Sequence, residues 1–431
     1  PHPGRGGPVV STTTAALPLP VQPALPTTET AVGRRAWLPV AASVVAIAWG
    51  GNEFTPLLIM YRQVSDFSAV VVDGLLGAYV LGIVPALMLG GPLSDLYGRR
   101  RLLLPAAPLS FLGSLLLCLG AGFPAVIGLG RVLCGLALGL VMAVGTTWIK
   151  ELSDRTGADP AAGPRRASLA LTGGFLVGAG VASVLAQWAP WPTHTTYVLH
   201  MLLTVLAGIW LLRAPETRTP GGHEPLHAQD LVRLLRVPNV AHKRFLRVVV
   251  PVAPWVFGCA GAAYAVLPSL LAAHAGSVPV AFSGLMTALT LGCGAGVQLL
   301  GKGIDTHRSA RASVVAMAII TVGVVLGALA AATTSLVAGF ASAAVMGTGY
   351  GLALVAGLSE VQRIAAPEDL AGLTAVYYSL AYLGFFIPML FAALSTTVGY
   401  TVLFAIGAGL AALCLVVVAT AWKAHLPGAR A

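Results

Sequence analysis

Apolar runs near 20 residues, each long enough to cross ~30 Å of hydrocarbon as a helix, recur along the whole of this 431-residue chain. They fall at 37–61, 70–93, 102–122, 125–149, 167–189, 195–212, 248–271, 280–300, 312–331, 337–359, 370–392 and 399–421, twelve in all. The runs are rich in Gly, Ala, Leu and Val and do not alternate with polar residues, which excludes a β-barrel. Charged side chains make up 9% of the chain, against about a quarter in a soluble domain. A soluble enzyme as the main body is therefore excluded, and an all-α integral membrane protein with twelve transmembrane helices is expected.

The formal charge of +10 would suggest nucleic acid on a soluble protein, but its distribution argues otherwise. With the N-terminus inside, the inner segments hold 23 Lys and Arg, the outer loops hold only Arg62, and Arg131 falls within a helix. Positive residues mark the cytoplasmic side, so both termini are expected to be cytoplasmic. The excess of Arg over Lys and the Ala/Gly/Val richness suggest a bacterial cytoplasmic membrane. The partners expected are the lipid bilayer, protons and a small-molecule substrate, with no nucleic acid, and the working unit is expected to be a monomer. Residues 1–36, rich in Pro, Thr and Ala without periodicity, read as a disordered tail. Residues 37–212 and 248–421 form two bundles of six helices, joined by a cytoplasmic linker at 213–247 and followed by a tail at 422–431. Within the linker, 229–236 has the pattern of a short amphipathic helix on the inner membrane face.

The two halves echo each other. Asp95 follows Gly91 by four residues and precedes Arg99-Arg100-Arg101; Asp305 follows Gly301 by four residues and precedes Arg308, at an offset of 210. Such internal repeats are common in secondary transporters. Here the chain resembles the major facilitator superfamily. Gly91, Leu93, Asp95, Gly98, Arg99 and Arg100 match that family's signature between helices two and three. Arg131, Gly135 and Gly139 match its signature in helix four, and Pro215-Glu216-Thr217 after helix six is also similar. The resemblance implies two pseudo-symmetric six-helix bundles working by alternating access, as in the twelve-helix bacterial drug/proton antiporters. It departs in helix five, where Gly173 to Gly180 lacks the proline usual in those antiporters.

The resemblance also implies a conformational latch of Gly91, Asp95, Gly98, Arg99 and Arg100, echoed by Asp305. The Asp95 carboxylate is expected to accept from N–H groups at the start of helix eleven, near Ala371-Gly372, where the helix dipole favours negative charge. Two other motifs carry no chemistry. His223-Glu224-Pro225-Leu226-His227 fits a zinc-protease pattern, but Gly221-Gly222 and Pro225 oppose the regular helix it needs. The Gly296–Gly303 run resembles a phosphate loop yet ends a membrane helix and lacks its Ser or Thr. The five cysteines have neither metal-ligand nor disulfide spacing, so no metal or other cofactor is expected. Glu360, at the inner end of helix ten, reads as a solvated terminus.

Ionisable groups inside a membrane are expensive and usually functional. Glu53 lies eight residues before the outer end of helix one, ~12 Å deep; Asp73 and Arg131 lie ~5 Å and ~9 Å inside the same surface. The three are expected to meet, with Glu53 carrying the proton, Arg131 tuning it and Asp73 serving as a second acidic site. Burial favours the protonated carboxyl and a close guanidinium the ionised one, so a change in their separation would load and release a proton. Pro56 lets helix one bend there, and Gly77 and Gly135 are expected to leave room. Asn52, Tyr264, Gln298, Tyr377, Tyr378 and Tyr382 are the candidate substrate contacts. The expected function is proton-coupled efflux of a small hydrophobic or amphipathic compound. The alternatives are proton-coupled uptake of a small metabolite and, more distantly, a receptor or scaffold that moves no solute. No catalytic residues converge, so an enzyme is not expected. Residues 213–247 should be cleaved by protease added to the cytoplasmic face and 187–194 by protease at the outer face; cleavage of the linker from outside overturns the orientation.

Overall fold

Inside hydrocarbon, backbone N–H and C=O groups must find partners within the protein, which leaves helices as the solution for a chain of this pattern. The computed structural model describes residues 33–157, 159, 161–218, 237–300, 303–304, 306, 308–366 and 369–424. The tail 1–32, the amphipathic segment 229–236 and Asp305 lie outside the described residues. No strand occurs among the described residues. Ten helices there are long and apolar enough to cross a membrane: α2 Ala69–Tyr97, α3 Arg99–Leu119, α4 Pro124–Asp154, α5 Ala162–Trp188, α7 Phe245–His274, α8 Pro279–Gln298, α9 Arg311–Thr333, α10 Leu336–Ile364, α11 Leu370–Leu394 and α12 Tyr400–Thr420. Two further segments complete the twelve. Helix α6, Thr195–Leu211, is a shorter apolar helix, and α1 is divided at Glu53 into Leu38–Asn52 and Phe54–Val64. Pro56 has no N–H to give the Asn52 backbone carbonyl, and beside it Thr55 Oγ1 donates to the Asn52 side-chain oxygen Oδ1 at 2.8 Å.

Several helices run three to five residues past their hydropathic ends on the side rich in arginine. Helix α2 continues to Tyr97, α4 to Asp154 and α10 to Ile364, while α3 begins at Arg99 and α5 at Ala162. Outside the hydrocarbon a helix has no need to be apolar, so hydropathy marks the span and misses the overhang.

Helices α1 to α6 pack chiefly among themselves: α2 on α4, α3 on α4 and α6, α1 on α5 and α6. Among α7 to α12 the main pairs are α9 on α10 and α12, α8 on α10, and α7 on α10 and α11. Two pairs meet backbone to backbone. A Cβ on Gly82 would fall on the Val132 carbonyl oxygen of α4, and one on Gly135 would fall on that of Tyr79 in α2. The counterpart in the second half is α8 against α10, where a Cβ on Gly347 or Gly351 would strike the carbonyl oxygens of Thr290 and Gly294. Small residues permit this approach, and dispersion and close contact replace the absent hydrophobic drive between helices in lipid. Gly135 is therefore a tight contact and leaves no room for movement, contrary to the expectation from sequence; Gly77 is likewise filled, by the ring of Phe386.

Candidate functional site

A cavity of about 600 Å³ lies between the two sets of helices. It reaches the arginine-rich ends of α2 (Gly91, Pro92), α4 (Lys150), α5 (Pro164, Ser168), α10 (Gln362) and α11 (Ala371, Thr374). At the opposite end the two sets are in contact. Gln187 of α5 accepts from the first amides of α8, Val280 and Ala281, at 3.0 and 3.1 Å and donates to Ser277 at 3.2 Å. Gly74 and Gly77 of α2 seat Met389 and Phe386 of α11. The cavity is thus open at the arginine-rich end and closed at the other.

Rings form its floor. Phe257 stacks on Tyr382 at 4.4 Å and on Phe385 at 5.1 Å, and Tyr79 meets Tyr382 and Phe385 edge-on at 6.4 and 6.2 Å. The Tyr382 hydroxyl also reaches Met142 Sδ of the other half at 3.1 Å. The helices that supply these groups carry local irregularities. Wider π-helical turns occupy Val141–Gly145 in α4 and Ala262–Val266 in α7, and α11 tightens at Leu383–Phe386 before Pro388. Irregular turns of this kind recur at functional sites. Of the candidate substrate contacts, Asn52, Tyr264, Gln298, Tyr378 and Tyr382 line the cavity. Tyr377 does not: its hydroxyl donates to the Ala353 and Leu354 carbonyls at 3.1 and 3.2 Å, and its ring packs on Gly357. Among the described residues, Arg131 and Lys150 are the charged side chains of the lining, which includes no carboxylate.

Arg131, Glu53 and Asp73 do not come together as a cluster. The Arg131 guanidinium lies over the rings of Tyr79 and Phe54, 4.3 and 4.7 Å from their centroids. It donates to the Leu75 and Gly51 carbonyls at 3.3 and 3.4 Å, so it holds α2 and the divided α1 together. Asp73 is bound by Arg62, one nitrogen lying 2.7 Å from each carboxylate oxygen. Glu53 is fully buried and turns away from the cavity lining, toward Ser114 Oγ at 3.2 Å and His200 Nδ1 at 3.5 Å. Ser114 and His200 were missed from sequence, although an imidazole inside the apolar run 195–212 is the same kind of signal as Glu53.

At the arginine-rich end Glu216 caps α3, its oxygens accepting from the amides of Arg99 and Arg100 at 3.0 and 2.9 Å. An anionic cap on a helix N-terminus satisfies orphan donors and opposes the dipole. Arg99 pairs with Glu151 at 2.9 Å and with Asp95 at 2.8 Å, and Arg218 lies 3.7 Å from Asp95. Asp95 is therefore not on α11 in this arrangement, and the face of Gly91 is open: a Cβ there would meet nothing within 4 Å.

This architecture agrees with the relatives of the chain. Residues 38–387 match the Major Facilitator Superfamily. The chain belongs to that superfamily. A 3-(3-hydroxy-phenyl)propionate transporter of Escherichia coli (strain K12) is 28% identical over 54% of this chain and 55% of its own length. A facilitated glucose transporter, member 10 of solute carrier family 2 of Mus musculus, is 33% identical over 27% of this chain but 21% of its own. The chain thus spans about half of the first relative and a fifth of the second. In fold it is similar to a peptide transporter of the POT type in complex with sulfate, with a TM-score of 0.71, 13% identity and coverage of 90% of this chain and 96% of the other. It is also similar to a variant of the nucleoside transporter NupG, at 0.68, 12%, 90% and 99%.

One buried charge of this superfamily member reads differently in three dimensions. Glu360 is no solvated terminus: it is buried and bridges Arg244, at 2.5 and 2.9 Å, and Arg363, at 2.5 Å. Arg244 in turn donates to the Ala424 carbonyl beyond α12 at 2.8 Å. Removing one member of a buried ionic group strands the others and costs roughly 3–5 kcal/mol. Glu360→Ala should therefore lower the melting temperature sharply in detergent, whereas Lys150→Met, which breaks a surface pair with Asp154, should cost under about 1 kcal/mol. Equal melting shifts for the two variants would contradict this account.

Proposed function

We propose that the protein is a secondary transporter working by alternating access, that it moves a small amphipathic compound bearing an aromatic ring and an acidic group, and that transport is coupled to protons through Glu53. The observation that carries this reading is the cavity between the halves, open at the arginine-rich end and closed at the other. Its ringed floor suits a flat apolar body, and the positive field of Arg131 behind the floor, with Lys150, shared with Asp154, at the mouth, suits an anion. The name of the Escherichia coli relative, a transporter of a phenylpropionate, supports the same class. Export against protons follows the signatures in helices two and four. Import with protons is the second reading, favoured by the two lining cations, because an anion accompanied by a proton crosses as a neutral unit.

Asp95 serves as the latch in this proposal. Closure of the cytoplasmic end brings the bare face of Gly91 against the start of α11 and moves Asp95 from Arg99 and Arg218 to the α11 N-terminus. Arg131 acts on Glu53 through the field and through α1, and Asp73 with Arg62 braces the outer end. In proteoliposomes with an imposed pH gradient, wild type should accumulate an aromatic carboxylate such as a phenylpropionate in one gradient direction. Glu53→Gln should abolish that accumulation while leaving passive exchange; a variant that still concentrates solute removes Glu53 as the coupling residue. Asp95→Asn should reach the membrane, transport poorly and raise labelling of a cysteine reporter on the cytoplasmic side of the cavity. Unchanged labelling with normal transport rejects the latch.

A further inference from the structure

Behind the cavity wall, Glu53 of α1, Ser114 of α3 and His200 of α6 form a closed polar cluster, each fully buried. The hydrogens in it can be counted. Nε2 of His200 lies 3.0 Å from the Ala46 carbonyl oxygen, which can only accept, so Nε2 carries a hydrogen. Thr204 Oγ1, 3.1 Å away, faces the same nitrogen. On the other side of the ring, Nδ1 lies 2.7 Å from Ser114 Oγ, which lies 3.2 Å from Glu53 Oε1. The serine hydroxyl has one hydrogen to give, and two acceptors flank it.

We propose that Glu53, Ser114 and His200 form a single-proton site in which one proton, shared between carboxyl and imidazole through the serine hydroxyl, ties α1 to α3 and α6. With the proton on Glu53, the carboxyl donates to Oγ and the hydroxyl donates to Nδ1. With the proton on Nδ1, the ring donates to Oγ and the hydroxyl donates to Oε1. Passage from one state to the other breaks the Glu53 O–H bond, forms a bond from that hydrogen to Oγ, and moves the serine's own hydrogen to Nδ1, so atoms and charge balance. Both one-proton states satisfy the chain of three. With no proton, carboxylate and Nδ1 compete for one hydrogen and a buried acceptor goes unpaired; with two, both groups donate to Oγ and the hydroxyl hydrogen is left with Cys134 Sγ, a weak acceptor. Unpaired buried groups are costly, so the geometry selects a count of one.

The site is seated for this purpose. A Cβ on Gly50 would overlap the His200 ring, so glycine there lets the imidazole lie on the α1 backbone. A release state is also at hand: Glu53 Oε2 and Trp49 Nε1 are both buried without a hydrogen-bond partner, and i,i+4 residues are neighbours on a helix surface. On losing the proton, Glu53 turns from Ser114 to the Trp49 N–H, which already lies within reach of its carboxyl, so the empty site is paired only with the Glu53–Ser114 bond broken and α1 freed from α3 and α6. Gly51, Asn52 and Thr55, beside it on α1, line the cavity, so the tie reports proton occupancy to the substrate site. The other ionisable groups within electrostatic reach of Glu53 are Arg131 and Cys134 of α4, Tyr61 of α1, and Tyr197 of α6. Of these, Arg131 supplies the fixed charge, and the hydroxyls of Tyr61 and Tyr197 are bonded to each other at 2.8 Å.

The coupling role assigned to the tie rests on Glu53 as the proton carrier; the count itself does not, and is read on wild-type protein. In lipid, the carboxyl band of Glu53 by infrared difference spectroscopy, identified by its loss in Glu53→Gln, should change with pH at the same midpoint as the His200 signal in ¹⁵N-histidine resonance spectra. Separate midpoints, or a His200 signal unaltered across the transition, overturn the proposal. Ser114→Ala should split the common midpoint and Ser114→Thr should restore it. His200→Gln should move the midpoint of the pH profile of transport by on the order of one pH unit, whereas a merely structural role would change its height alone. If Glu53→Gln still drives accumulation while the wild-type midpoints coincide, the single-proton site stands and the coupling reading falls.

Discussion

Two helices can approach no closer than their side chains allow, and α2 and α4 meet with almost none between them. Gly82 and Gly135 bring backbone onto backbone at that crossing. The approach places Tyr79 beside Arg131, and through Arg131 it fixes the divided α1, whose Gly51 carbonyl the guanidinium holds. Floor, cation and divided helix of the cavity all hang from this contact. Its counterpart between α8 and α10 sets Tyr350 and Gln298 in the opposite wall.

Burial of charge imposes the second constraint. An ion in a low-dielectric interior persists only when paired or hydrogen-bonded, and the protein meets this in three ways. Asp73 and Arg62 pair directly, and Glu360 is shared by two arginines. Arg131 is covered by two rings and two carbonyls. Among these buried carboxyl groups, Glu53 differs in its partners: they are a hydroxyl and an imidazole, groups that can give or take a proton, in place of an arginine. That difference separates a static brace from a group whose charge can change.

The same division runs through the ends of the molecule. At the arginine-rich end, charged groups bind neighbours within one half: Glu216 on α3, Glu151 and Asp95 on Arg99. At the other end, contacts between halves are made by glycines, Met389, Phe386 and the amide of Gln187.

The sequence by itself determined the helices, because hydropathy over some 20 residues is set by the thickness of the membrane and not by neighbours in the fold. It determined the arginine-rich end, and the family through the runs at Gly91–Arg100 and Arg131–Gly139. Depth along a helix was also legible, since rise per residue is fixed. What only the tertiary structure decided was azimuth: which way round a helix each side chain points. Glu53 and Arg131 share a depth yet face different neighbours. Asp73 found Arg62, Tyr377 found the carbonyls of α10, and Glu360 found Arg244, 116 residues away. Ser114 and His200 show the same limit: each is an ordinary polar residue in its own apolar run, and only the packing of α1, α3 and α6 sets them in line.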